Sequence, residues 1–279
     1  MKTRILLATA ILLLAASMQA ATPQKSSSSK FMPKSSSEIF LGRVLEASSV
    51  NKSQYEFGST PFKNITVSFS IPVKSVSIAP TQEAMMAAAK EAVKSQKIPQ
   101  SQDFSFSKRE LASYDDLKSL FGQEMSISSL LGKKDLKKTH KTLVAFDLNR
   151  VFFTMVMDFP ESAVSGATSS QIYINSVGFG RRALVVIESD MSAADIKAAA
   201  DEAISSTGVL SDKTSAILAN SNIHIVNFGN GSALKANADN PFSGLKEYIA
   251  KAPTESDFGK IITFSASYVK DNSVFVNEY

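Results

Sequence analysis

Apolar positions along this chain follow two rhythms. Runs that alternate or stay apolar predict strands at residues 65–71, 143–157, 171–188, 223–228 and 260–276. Spacing of three and four predicts helices at 81–97, 192–205 and 242–251. The first helix stops before Ile98-Pro99, because proline disfavours a helical residue ahead of it. The last opens with Asn240 as its N-cap and Pro241 at the first helical position. Lys270-Asp271-Asn272-Ser273 reads as a hairpin turn, with Tyr268 before it and Val274 and Val276 after. Strands and helices mix without regular βαβ alternation, so the expected class is α+β: a twisted antiparallel core sheet flanked by helical clusters.

Two stretches fit both rhythms. Ala193, Ile196, Ala199, Ala200, Ala203 and Ile204 share one helix face. Ala194, Ile196, Ala198, Ala200 and Ile204 equally share one side of a strand, with Asp195, Lys197 and Asp201 opposite and Glu202 breaking the pattern. Leu117, Leu120, Phe121 and Met125 suit a helix, while Leu117, Phe121, Met125, Ile127 and Leu131 suit one side of a strand. The plain reading is a helix that covers a sheet. The sharper one is a segment that packs as helix and later opens into a hairpin with one face toward lipid. A membrane-crossing strand needs about 9 to 11 residues and a fully paired backbone, which forces closure into a barrel. Both stretches are long enough, and the run from Lys133 to Lys138 (KKDLKK) would make a charged tip. Two hairpins per protomer cannot enclose a wide lumen, so a membrane role requires a ring of many subunits.

Composition narrows the field. The 279 residues are 44% apolar and 20% charged, which is globular rather than disordered composition. Absence of cysteine excludes a disulfide scaffold, a thiolate metal site and a Cys nucleophile, and tryptophan is absent too. His140 and His224, the two histidines, cannot build a multi-histidine metal centre, so no metal or cofactor is implied. Residues 1–4 are a positive n-region, 5–16 an apolar run too short to span a membrane and 17–21 a small-residue border, which together predict a secretory signal peptide over 1–20. Without its Lys2 and Arg4, 28 basic residues face 26 acidic ones, a net +2 with no basic stripe for nucleic acid. Residues 21–38, rich in Ser and Lys, are expected to be a disordered leader before a core at 39–279.

Four blocks, in order, resemble the cholesterol-dependent, or thiol-activated, cytolysins of the perforin-like superfamily. They are IFLGRVLEASSV with NITVSFSIP within 39–72; residues 114–157, ending LNRVFFTMVM; IYINSVGFGRRALVVIE at 172–188, with Phe179-Gly180-Arg181 matching the family's aromatic-Gly-Arg signature; and IITFSASYVKDNSVFVNEY at 261–279. The resemblance implies a secreted pore-forming protein that oligomerises, with 117–142 and 193–222 as helical bundles that unfurl into transmembrane hairpins. It assigns Leu117, Phe121, Met125, Ile127, Leu131, Thr142, Val144 and Phe146 to the first hairpin, and Ile196, Ala198, Ala200, Ile204 and Ile217 to the second. Tyr114 matches an aromatic on the family's first core strand that aligns neighbouring subunits, with the non-aromatic Ile223 at its partner position. Gly229-Asn230-Gly231 stands where the family has a glycine pair that lets an edge strand bend away. Phe179, Gly180 and Arg181, with Tyr114, Ile223, Gly229 and Gly231, form the implied oligomerisation and hinge set. The sequence stops about where the family enters its membrane-binding domain and lacks the tryptophan-rich, cysteine-containing loop that meets cholesterol. A receptor or a longer cytolysin-like homologue is therefore expected to supply contact with the target membrane, and no cholesterol-binding residue is assigned.

Other constellations are weaker. No GxSxG elbow accompanies His140, which sits in a lysine-rich turn, so an exported hydrolase is disfavoured. His224, between Ile223 and Ile225, reads as a sheet-surface residue, and Arg181-Arg182 as a solvated or sheet-edge pair with a subunit contact as the alternative. The competing function is a secreted, non-lytic binding or structural protein that keeps the fold.

Overall fold

The computed structural model describes residues 26–95, 98, 105–160, 168–206, 209–228 and 240–279. The expected signal peptide and Gly229-Asn230-Gly231 lie outside them. In chain order the elements are β1 (Ser27–Ser28), β2 (Val44–Glu46), β3 (Ile65–Phe69), β4 (Val76–Ile78), α1 (Gln82–Ser95), β5 (Ser105–Leu111), α2 (Ile127–Leu131), β6 (Thr142–Met157), β7 (Gln171–Ser189), α3 (Ala193–Ser205), α4 (Asp212–Ala219), β8 (Asn222–Phe228), α5 (Ser243–Ala250), β9 (Lys260–Tyr268) and β10 (Asn277–Glu278). Short 3₁₀ helices stand at Ala47–Asn51 and Tyr114–Leu120.

The two longest apolar runs pair with each other. β6 and β7 lie antiparallel from Thr142 opposite Ser189 to Val156 opposite Ser176. The 19 residues of β7 would span about 60 Å at the usual strand rise. Their neighbours change halfway along. In the head half, β2 and β9 pair with β7, and β3 with β6 and β4. In the foot half, β5 pairs with β6 and β8 with β7. All these pairings are antiparallel, as expected for the α+β class.

Three apolar clusters follow from this exchange. The head half packs against α1, whose Met85, Ala89, Ala92 and Val93 recur on one helical face, and against the chain between Phe31 and Tyr55. At the foot, both sheet faces are covered. Val144, Phe146, Leu148, Ala183, Val185 and Ile187 lie beneath α3, α4 and α5. Leu143, Ala145, Leu184 and Val186 point the other way, beneath Leu117, Phe121, Ile127 and Leu131. Alternate strand residues face opposite sides, so two buried faces make the runs continuously apolar.

Glycine makes the joint between the halves. A Cβ on Gly180 would lie 2.0 Å from the Arg150 carbonyl oxygen, and one on Gly259, at φ +82, would lie 2.2 Å from the Gly180 carbonyl oxygen. The register shifts beside it, between Val151 and Phe153 on β6 and between Gly178 and Phe179 on the β9 side. Phe179 stacks on Phe153 with centroids 5.0 Å apart and planes 11° from parallel.

The adjacent arginines are buried, not solvated. Arg181 is 2% exposed and Arg182 8%. Arg181 faces α5, donating to the carbonyls of Tyr248 (3.2 Å) and Lys251 (2.6 Å) and to the Asp257 carboxylate (2.8 Å). Its cross-strand neighbour Arg150 donates to the Ala250 carbonyl at 2.8 Å, so two guanidinium groups meet the negative end of that helix. Arg182, on the opposite face, grips Asp147 through two bonds of 2.8 and 2.9 Å and donates to the Leu120 carbonyl at 2.7 Å. The sequence reading missed these carbonyls because they lie 62 to 70 residues away along the chain.

The leader also departs from expectation. From Ser26 onward it is ordered: β1 pairs with β10, and Phe31 is 1% exposed between Phe264 and Phe275. One buried aromatic anchors a stretch whose serines and lysines dominate its composition. β5 was not anticipated, because an edge strand reading SFSKREL has too few apolar residues to show a rhythm. The 270–273 turn forms as expected, with Tyr268 N–H donating to Ser273 O at 2.8 Å and Asn272 at φ +61. The last helix starts at Ser243; Asn240 instead accepts from Phe242 N–H (2.8 Å) and donates to the Ala203 carbonyl of α3 (2.8 Å).

Gly180→Ala is expected to destabilise by about 3 kcal/mol, since backbone cannot move aside. Gly132→Ala, at φ +66 with open space around it, should cost only about 1 kcal/mol of left-handed strain. Urea unfolding midpoints check this, and the reverse order would refute the joint. Arg182→Met should cost about 3–5 kcal/mol by stranding the Asp147 carboxylate, and adding Asp147→Leu should recover part of the loss. A double variant no more stable than the single one would show that the pair matters in another way.

Candidate functional site

The two dual-rhythm segments hang from the foot of the sheet. The first connects β5 to β6 and the second β7 to β8, each linking strands that are neighbours or share a neighbour in one sheet.

The first segment was expected as a helical bundle, and it is less regular than that. Tyr114–Leu120 is a 3₁₀ turn and α2 is five residues long. Gly122 separates them at φ +72, where a Cβ would lie 2.2 Å from the Lys30 carbonyl oxygen, so no other residue fits that close pass. Asp116 stops the turn from unravelling backward by accepting from the Ala112 and Ser113 amides at 2.8 and 2.9 Å. Ser126 caps α2 and Gly132 ends it at φ +66. Past it, Lys133, Lys134, Asp135 and Lys137 are exposed.

A strap made from both ends of the described chain crosses this segment. Met32 N–H donates to the Phe121 carbonyl at 3.0 Å, and the Gln123 amide donates back to the Met32 carbonyl. Asn277, 5% exposed, exchanges amide bonds with Asn51 (2.8 and 2.9 Å) and donates to the Gly122 carbonyl at 3.0 Å. Tyr279 O–H reaches the Ser119 carbonyl at 3.4 Å.

At the foot, Glu188 is 2% exposed at the end of β7. Its Oε2 accepts from the Tyr114 hydroxyl at 2.6 Å. Its Oε1 accepts from Thr139 N–H, from the Thr139 hydroxyl at 3.0 Å and from His140 N–H at 2.6 Å. Asp190 accepts from Lys141 N–H at 3.2 Å and pairs with His140 Nδ1 at 3.1 Å. Burial pushes the Glu188 carboxyl up, but the bonds from Tyr114, His140 and Thr139 outweigh it and hold the group below its ordinary 4.5. Burial raises the Tyr114 phenol, and its bond to Glu188 raises it further. Burial is also the main force lowering His224, whose ring lies edge-on to Tyr114 at 6.3 Å.

The second segment is two helices. Ser192 and Ser211 cap α3 and α4. Ile196, Ala199, Ala200, Ala203 and Ile204 form the buried face of α3, with Ile217 and Leu218 from α4. Glu202, which broke the strand alternation, ties the helices together by accepting from Ser211 N–H (2.6 Å), Ser211 O–H (2.9 Å) and Thr214 O–H (2.6 Å). These bonds lower its pKa.

Of the assigned residues, Leu117, Phe121, Ile127 and Leu131 are buried together and Met125 is half-buried beside them. Thr142, Val144 and Phe146 are instead already in β6, with Val144 and Phe146 on the opposite face beneath α3 to α5. They belong to the standing sheet because β7 pairs along all three and β5 also pairs with Val144 and Phe146. In the second segment Ile196, Ala200, Ile204 and Ile217 are buried and Ala198 is exposed, as the helical rhythm dictates. Tyr114 opens the turn after β5 rather than lying on a strand, and Ile223, on β8, pairs with Ile187 of β7. Sequence reading missed Glu188 and Asp190, since carboxylates at a strand end look like solvated terminators. Among the described residues, no group of three metal-binding side chains comes together.

Because the folded-state pKa of Glu188 is depressed, its contribution to stability is present above the unfolded value near 4.5 and is lost as pH falls through the folded one. The Thr139 and His140 amide resonances are expected to inflect below 4.5 in an NMR titration. An inflection above that value would mean burial, not the donors, governs the carboxyl.

No known protein-family model matches this sequence, and no curated protein matches it. Solved structures do. The human-specific toxin intermedilysin aligns at TM-score 0.66 and 22% identity, over 91% of this chain and 62% of its own. Listeriolysin O aligns at 0.67 and 18%, over 91% and 61%. A non-hemolytic pneumolysin from Streptococcus pneumoniae aligns at 0.68 and 16%, over 91% and 62%. This chain therefore spans about three-fifths of the length of the structures it matches. A two-strand spine with a folded segment strung from each side of its foot, aligned over 91% of the chain, is a cholesterol-dependent cytolysin-like fold.

Proposed function

We propose that this chain is a secreted, non-enzymatic pore-forming protein of the toxin type. It assembles into a ring and opens residues 117–142 and 193–222 into membrane hairpins. Register carries the proposal. Leu111 pairs with Leu143 where the first segment leaves the sheet, and Glu188 with Asn222 where the second leaves it. Both strand pairs end at one foot, so unfurling either segment prolongs pairing that already exists. Each connection exceeds the ~20 residues that two crossing strands require. The donors and acceptors freed when helices open are then satisfied along the lengthened ladder.

The outer strands of the foot support ring assembly. Among the described residues, β5 pairs only with β6 and β8 only with β7. Joining β5 of one copy to β8 of the next is a head-to-tail contact that repeats around an axis. No helix among the described residues is long and apolar enough to cross a membrane. The sequence holds neither Trp nor Cys. The task of holding the protein at the target membrane is assigned to a longer cytolysin-like homologue or a receptor.

The test uses liposomes and environment-sensitive dyes on introduced cysteines, which need no native thiol removed. With a longer homologue from the same source, trapped dye should escape. Emission should brighten for labels at Met125, Ile127 and Ile196, and not at Ser126, Ser128 or Lys197. Silence in both assays would leave the non-lytic binding protein as the reading. Brightening at all positions alike would refute hairpins while keeping membrane contact.

A further inference from the structure

The carboxylates at the foot of β7 join the end of the first segment to the start of the second. Glu188 and Asp190 together take the backbone amides of three consecutive residues, Thr139, His140 and Lys141, just before β6 begins. Glu188 also takes the Tyr114 hydroxyl, just after β5 ends, so one side chain holds both ends of the first segment. Two residues past Asp190, Ser192 caps α3 and opens the second segment. Glu188 itself lies between Leu143 of β6 and Asn222 of β8, the last paired residues of the two connections.

Assuming the pore-forming reading above, we propose that Glu188 and Asp190 are positioning residues that couple the two segments, so that both leave the sheet as one unit. Lifting residues 139–141 away strips the buried Glu188 of its donors. A buried carboxylate without donors is costly, so the end of β7 must then turn toward water. That turn displaces the cap of α3. The coupling also runs in reverse: loosening α3 frees the strand end, and residues 139–141 lose the acceptors that hold them.

Hydrogen exchange of the soluble protein tests the coupling without a membrane. In the native protein, the amides of residues 139–141 and those of the first turn of α3 should open together, with protection falling on one urea dependence. In Glu188→Gln with Asp190→Asn, the two groups should separate by at least tenfold in protection. Independent opening in the native protein, or joint opening in the variant, overturns the proposal. Should that variant fail to fold, Tyr114→Phe with Thr139→Val removes two hydroxyl donors while keeping both carboxylates, and should separate the groups by a smaller factor. Joint opening in this second variant likewise counts against it.

A membrane arm reads the same coupling through labels at Met125 and Ile196, whose half-times should agree in the native protein and differ at least threefold in the carboxylate variant. Equal half-times in both proteins overturn the coupling. If no label brightens in any protein, the pore reading fails, and the exchange experiment still decides whether the two segments open together.

Discussion

The pairing of β6 with β7 is the constraint on which the other features depend. With side chains alternating between faces, a slip of one residue would move every buried group of the foot to the opposite face, against the wrong partners. Both faces there are apolar and both are covered, so neither a slip nor a half-turn is tolerated. Arg181 and Arg182 use this alternation. One register places the first against α5 and the second against the Tyr114–Leu120 turn. Gly180 lets the same two strands turn from one set of partners to another with a single register shift in the ladder between them, at Val151 to Phe153.

Against that rigid spine, the segments are held by modest apolar faces and by polar contacts at their ends. The buried face of α3 is largely alanine, which removes little apolar surface from water compared with leucine or isoleucine. The first segment is divided at Gly122 and contains one helical stretch of five residues. Ties made by Glu188, Asp190, Glu202 and Asp116 therefore carry much of the definition of both segments. Such ties can be exchanged for water or for new strand partners, whereas the apolar contacts of the spine cannot.

What the sequence makes legible follows from the same division. β6, β7, β8 and α3 are written in runs long enough for a rhythm to show, and the ordered blocks at 172–188 and 261–279 point to the fold. Elements whose identity depends on distant groups are hidden. β5 is a polar edge, Phe31 is one aromatic among serines, and the arginines look solvated until the carbonyls of α5 and Leu120 are brought to them. Glu188 is hidden for the same reason, since its donors lie 48 to 74 residues back along the chain. Val144 and Phe146 stand in β6 here, and an alternating run by itself does not say where a standing strand stops and an openable one starts.

The strap across Gly122 also sets an order of events in folding. Asn51 and Asn277, which bond to each other beside that glycine, are 226 residues apart. Contacts so distant in sequence form late, because the chain entropy of closing the loop must be met before they contribute anything. The first segment is thus fastened last, once the two distant parts of the chain have met beside Gly122.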